Sequence, residues 1–148
     1  MRGFQYPVML TREKSGGFMV RFPDFPEAIT SGVDRRDALV QAADCLEEAV
    51  AGRIVDGMEI PQPSGSRRHP QFVTLPATMA AKTALYLAMR EAKMKKTELA
   101  LRLGCDEKEV RRMLDPRHPT KLARIQQALD VLGQRLVVSV MSQGERAA

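Results

Sequence analysis

The side chains able to do chemistry in this sequence are few, and their spacing sorts them. His69 lies in a basic loop and His118 between two prolines, with no Ser, Cys or carboxylate at triad-like local spacing, so neither is set up as a catalytic base. Cys45 and Cys105 are far apart, with no Cys or His at ligand spacing around them, which points to neither a zinc site nor a disulfide framework. Two-metal phosphodiester cleavage needs several carboxylates converging on ions about 4 Å apart, the first normally on the first strand. Here the first strand segment, residues 4–10, holds no acid, and Asp37, Asp44, Glu47 and Glu48 follow the spacing of a solvated helix face. The chain is therefore expected not to be an enzyme and to use no metal or cofactor. What remains is a set of cations. With Val110, Met113 and Leu114 turned inward on a short helix, Lys108, Arg111, Arg112 and Asp115 occupy its opposite face. Arg bonds bidentately to guanine O6 and N7, and Lys more often neutralises phosphate. Arg111 is thus the expected base reader, Lys108 and Arg112 take mixed roles, and Glu107 could accept from cytosine N4. Lys95, Lys96, Thr97 and Arg117 flank this face and suit phosphate contacts. The competing reading of all these residues is a solvated helix surface.

The elements that must position this face are legible around it. Thr97 caps or opens a short helix running through Leu103, Gly104 supplies the left-handed residue that ends it, and Asp106 caps the next helix to about Leu114. Leu99 and Leu103 anchor the first helix, Val110 and Met113 the second, and small Ala100 lets the two approach. Two helices joined by a tight glycine turn form the helix-turn-helix that reads the major groove. Pro116 and Pro119 stop the second helix. Helices over about 78–93 and 120–132 complete this half, and Leu136–Met141 has the alternation of a strand. A single module of this kind reads few base pairs. Pairing of that strand with a second copy, burying Leu136, Val138 and Val140, would give the dimer that two half-sites require; pairing within the chain is the alternative.

Towards the start, Phe4, Tyr6, Val8 and Leu10 alternate with other residues, as do Phe18, Val20 and Phe22, and Ser15-Gly16-Gly17 between them makes a hairpin turn. Pro7 places the first strand near a sheet edge. Residues 28–31 add a third strand, Gly32 and the cap Asp34 lead into a helix whose Leu39, Ala42, Ala43, Leu46, Ala49 and Val50 face the sheet, and residues 71–75 form a last strand. The order is β-β-β-α-β. Ile60 to Pro70, with its prolines and small residues, is a long loop.

The 148 residues carry a formal charge of +5, distributed unevenly. Residues 1–76 are net −1 and residues 77–148 net +6, so an acidic partner such as nucleic acid suits the second half. With no Trp, two Tyr and five Phe, platforms for stacking single-stranded bases are scarce. No apolar run has the roughly 18 residues of a membrane span, and the start lacks a signal-peptide core, so a cytoplasmic protein is expected. The parse is an α+β fold in two domains: a β-β-β-α-β domain over 1–76, and an all-α helix-turn-helix domain with a C-terminal strand over 77–148.

Residues 79–133, with Ala100, Gly104, Val110 and Met113 in the structural positions, resemble the phage-repressor or Xre class of helix-turn-helix domain. Residues 3–76 resemble the HicB antitoxin family. The resemblance rests on Gly17-Phe18-Met19-Val20-Arg21-Phe22-Pro23-Asp24-Phe25-Pro26, Ser31-Gly32 leading to Asp37-Ala38-Leu39, and Ile60-Pro61-Gln62-Pro63-Ser64. The sequence departs from the common pattern at Glu27-Ala28, where Gly and often Cys follow the second proline, and at Arg35 and Arg36 in the helix entrance. What the resemblance implies is a partial RNase H-like domain that occludes a HicA-type RNA-cleaving toxin, followed by a module that binds operator double-stranded DNA and represses the shared operon. Asp24, Phe25 and Glu27 are candidate toxin contacts, and Asp44 and Glu48 could face a basic toxin. The expected partners are that toxin, operator DNA and further copies of the chain as a homodimer or higher homo-oligomer. A stand-alone repressor, with a ligand-sensing or oligomerising first domain, is the alternative.

Overall fold

In the computed structural model, residues 1–65 and 71–142 are described. Arg67, Arg68 and His69 of the basic loop lie outside them. The described residues divide into two compact units: Met1–Gly52 with the described parts of Pro61–Pro76 and residues 140–142, and Arg53–Ile60 with Ala77–Ser139.

The first unit holds β1 (Gln5–Arg12), β2 (Phe18–Phe22), β3 (Phe25–Gly32), most of α1 (Arg35–Val55) and β4 (Gln71–Thr74). The strands form one antiparallel sheet in the order β3-β2-β1-β4. β1 is therefore interior, not near an edge as Pro7 suggested. Pro7 is tolerated because it lies opposite Phe72 in the half of β1 that pairs with β4, while the β1–β2 ladder runs from Met9↔Arg21 to Arg12↔Phe18. Its missing N–H interrupts no rung of that ladder. β3 begins at Phe25, three residues before the stretch expected from alternation, after a register shift at Arg21/Phe22.

Tyr6, Val8, Val20, Phe22 and Phe25 from the strands and Ala38, Ala42, Leu46 and Val50 from α1 are buried and form the core of this unit. The helical stripe repeats every four residues, with Leu39, Ala43 and Ala49 half-buried beside it. α1 opens with reciprocal caps: Asp34 Oδ1 accepts from Asp37 N at 2.8 Å, and Asp37 Oδ2 accepts from Val33 N at 2.9 Å. Just before it, a Cβ at Gly32 would collide with the backbone N and Cα of Ala38. Gly32 is thus required by the close approach of the end of β3 to the first turn of α1.

The second unit holds α2 (Ala77–Ala92), α3 (Lys96–Leu103), α4 (Glu107–Leu114) and α5 (Leu122–Val131). α2 packs on α4 and α5, and α3 on the same two helices. Leu85, Leu99, Val110, Met113, Ile125, Ala128 and Leu129 are its buried centre. Tyr86 Oη donates to the carbonyl of Met58 at 2.6 Å, and Arg90 Nη1 to that of Gly57 at 2.8 Å, tying α2 to the 53–60 segment of its own unit. Residues 134–142 are neither helix nor strand, which corrects the strand expected at 136–141. Alternation favours strand geometry, but a ladder needs a neighbour's backbone groups. Here the N–H of Leu136 donates instead to Gln126 Oε1 at 3.0 Å. Among the described residues no helix is long and apolar enough to cross a membrane.

Candidate nucleic-acid interface

The turn between α3 and α4 has the geometry its residues foretell. Gly104 lies at φ 66°, ψ 33°, in the left-handed region, and caps α3 by donating to carbonyls of its last turn. The N–H of Cys105 returns to the carbonyl of Ala100 at 3.0 Å. Asp106 then caps α4, its Oδ1 accepting from Glu109 N at 2.8 Å. Leu99 and Ala100 of α3 and Val110, Met113 and Leu114 of α4 are buried, and Leu103 is half-buried. Thr97 does not cap: α3 starts at Lys96, and its N-cap Lys95 contributes no side-chain hydrogen bond. The first turn of α3 thus presents main-chain N–H groups beside Lys95, Lys96 and Thr97, all exposed.

Lys108, Arg111 and Arg112 are exposed on one side of α4, and Arg117 is exposed in the following turn, where its N–H donates to Asp115 Oδ1 at 3.0 Å. Glu107 is half-buried, and its Oε1 accepts from Arg111 Nη2 at 2.6 Å and Nε at 3.1 Å. Glu109 reaches the other way, to Arg124 Nε of α5 at 2.6 Å, which holds the Arg124 guanidinium above its ordinary pKa. An open cleft of about 500 Å³ runs between the start of α3 and α4, with Arg90, Lys93, Lys95, Lys96, Thr97 and Glu107 among its lining. The structure therefore gathers Lys96, Thr97 and Glu107 at one cleft and Lys108, Arg111 and Arg112 on the adjoining helix face.

A residue that sequence reasoning missed holds this face in place. Lys82 of α2 is 1% exposed. Its ammonium donates to the carbonyls of Arg112 at 3.1 Å, Met113 at 3.2 Å and Asp115 at 2.8 Å, and to Thr120 Oγ1 at 2.9 Å. These carbonyls end α4, where a cation is favoured by the helix dipole. Burial lowers the pKa of Lys82 and the nearby Asp115 carboxylate opposes that shift. The sequence signal was there: Lys82 lies between Met79 and Leu85 on the buried side of α2, where a charge needs partners.

The proposed toxin contacts fall in the β2–β3 turn, on β3 and on α1 of the first unit. Asp24, half-buried at the β2–β3 turn, accepts from Ser64 N at 2.9 Å and so fastens the 60–65 loop. Phe25 is fully buried, its ring edge-on to Tyr6 with centroids 4.9 Å apart. It belongs to the core and offers no surface to a partner, which corrects its place among the contacts. Glu27 is exposed on β3, and Asp44 and Glu48 are exposed one turn apart on α1. Val138 and Val140 are 66% and 98% exposed, and Leu136 is half-buried.

Comparison with known proteins bears on most of the chain. Residues 5–84 match a family described as HicB-like antitoxin of bacterial toxin-antitoxin systems. Antitoxin HicB of Escherichia coli (strain K12) is 36% identical over 132 residues, covering 89% of this chain and 96% of the relative. Antitoxin HicB 2 of Photorhabdus laumondii is 38% identical over 135 residues, covering 91% and 95%, and Antitoxin HicB 1 of the same organism is 34% identical over 140 residues, covering 95% and 89%.

Proposed function

Because the chain belongs to the HicB-like antitoxin family, we propose that it neutralises a HicA-type mRNA-cleaving toxin by steric cover and represses its own operon by binding operator DNA. The observation that carries this is the union, in one chain, of a family-matched sheet-and-helix unit with a glycine-turned helix pair whose exposed face bears Lys108, Arg111 and Arg112. Covering a toxin's active site or RNA groove requires interface area and no chemistry from the inhibitor. The acids suited to a basic enzyme are Glu27, Asp44 and Glu48, which would speed capture as well as match charge.

On DNA, α4 would lie in the major groove, with Arg111 on a guanine edge and Lys108 and Arg112 sharing base and phosphate contacts. Lys96, Thr97 and Arg117 would hold the backbone, and the uncapped start of α3 suits a phosphate. Two copies joined through residues 136–140 would read two half-sites about 34 Å apart. The protein would act in the cytoplasm, where both the operon and mRNA are found.

Co-purification with the product of the neighbouring small reading frame, followed by an RNA-cleavage assay of that product with and without this chain, tests the first role. A stable complex that loses cleavage is expected, weakened by the pair Asp44→Lys and Glu48→Lys. Cleavage that continues unchanged in the presence of this chain would overturn it. Binding to the DNA upstream of the operon, falling steeply with salt as phosphate counterions are released, tests the second.

A further inference from the structure

Glu107 and Arg111 stand one turn apart on α4, their side chains 37% and 65% exposed. Nε and Nη2 of Arg111 form one edge of the planar guanidinium, and both donate to the same oxygen, Glu107 Oε1. Of the three N–H groups left, one on Nη1 and one on Nη2 form the terminal pair, the fork that meets O6 and N7 of a guanine end-on. Glu109, two residues on, is committed to Arg124 of α5, so the two acids in the first turn of α4 are used differently. One ties the helix to α5, and the other engages a residue on the helix's own exposed face.

Stability gives little reason for the Glu107 pair, since an exposed ion pair at this spacing contributes little. Attraction to DNA gives a reason against it, because a carboxylate beside phosphates lowers affinity for any duplex. An unrestrained arginine, however, must lose much rotamer freedom before it can form a bidentate contact. Resting on the DNA-reading role proposed above, we propose that Glu107 is a positioning residue: it aims the terminal N–H pair of Arg111 at one base edge and lowers affinity for DNA in general. Glu107 itself reads no base. It trades binding strength for discrimination.

The two effects have opposite signs, which separates them from a structural defect. The full chain and the variants Arg111→Ala, Glu107→Ala and Glu107→Gln are compared on three probes at one salt concentration. The probes are a duplex selected from a randomised pool by the parent chain, its single-base variants, and an unrelated duplex of equal length. Arg111→Ala should flatten preference at one base pair by about tenfold. Glu107→Ala should lose a similar part of the preference at that same base pair while binding the unrelated duplex about threefold more tightly. Glu107→Gln keeps an oxygen for Arg111 and loses the charge, so it should restore most of the preference and retain the gain on the unrelated duplex. If Glu107→Ala leaves preference at that base pair intact, or weakens binding to all probes alike, the positioning role is overturned while the DNA reading stands. If Arg111→Ala changes no preference, or the parent selects no duplex, the reading of Arg111 falls and this inference falls with it.

Discussion

The ammonium of Lys82, in the second turn of α2, sits 2.8 Å from the carbonyl oxygen of Asp115, the residue that closes α4. A buried cation thus spans 33 residues of sequence to cap the helix that carries Lys108, Arg111 and Arg112. Three carbonyls and a threonine hydroxyl converge on it, more acceptors than its three protons can serve at full strength. The end of α4 and the 115–120 turn are therefore fixed relative to α2 through one side chain.

Lys82→Met should lower the stability of the second unit by about 1–3 kcal/mol, because the methionine fills the space but cannot donate to the buried Met113 carbonyl, and it leaves the carbonyls of Arg112 and Asp115 only their local donors, Asp115 N and Thr120 Oγ1 for the first and His118 N for the second. The loss is held to that range because removing the ammonium also removes the cost of desolvating it. Urea unfolding of the full chain, followed by a probe in the second unit, measures it. An unchanged midpoint would mean that water replaces the ammonium without penalty.

Gly104→Ala should cost about 1–2 kcal/mol for purely conformational reasons, since a left-handed φ strains any residue with a Cβ. A Cβ there meets nothing within 4 Å, so crowding contributes nothing at this first atom. Gly104→Asn should accordingly be milder than Gly104→Ala, and Gly104→Val harsher than either. Equal midpoints for the three variants would show that the turn relaxes out of the left-handed region.

The contrast with Gly32 rests on a different cause. Its added Cβ would strike the backbone of Ala38, which cannot rotate away as a side chain can. Gly32→Ala is expected to cost about 1–3 kcal/mol through displacement of α1 from the end of β3. The loss should appear in unfolding of the first unit, and toxin binding should weaken with it. A Gly32→Ala chain with parental stability would mean that this approach is looser than the structure has it.

Much of this was legible because the deciding forces are local. Asp34, Asp106 and Gly104 act on backbone groups within four residues of themselves, and the alternation in β1 and β2 records which side of a sheet is wet. The residues that escaped depend on distant partners. Lys82 falls on the apolar side of its helix, but helical spacing does not reveal the carbonyls of Arg112, Met113 and Asp115 that surround its ammonium. Phe25, in a turn-like Pro-Asp-Phe-Pro run, reads as exposed until Tyr6 from another strand closes over it. Pro7 marks an edge when it belongs to a strand with one partner; β1 has a different partner along each half. For the candidate site, the cations of α4 followed from helical spacing, but the engagement of Arg111 by Glu107 depends on rotamers that spacing leaves open.

The segment 136–140 yields the last prediction. Its alternation places Leu136, Val138 and Val140 on one side of an extended chain, yet Val138 and Val140 are exposed and the backbone forms no ladder in the single chain. Alternate exposed valines on an extended segment are what a second copy of the same segment can cover, pairing antiparallel about a two-fold axis. That axis would set two copies of α4 on one face of a duplex, doubling the base pairs read. The full chain should therefore sediment as a dimer or larger assembly, and Val138→Asp with Val140→Asp should give monomers, since like charges would face each other across the new ladder. The same variant should bind the selected duplex at least about tenfold more weakly while each module keeps its preference for a half-site. A double variant that remains dimeric would place the association elsewhere on the chain and leave these valines without a role in it.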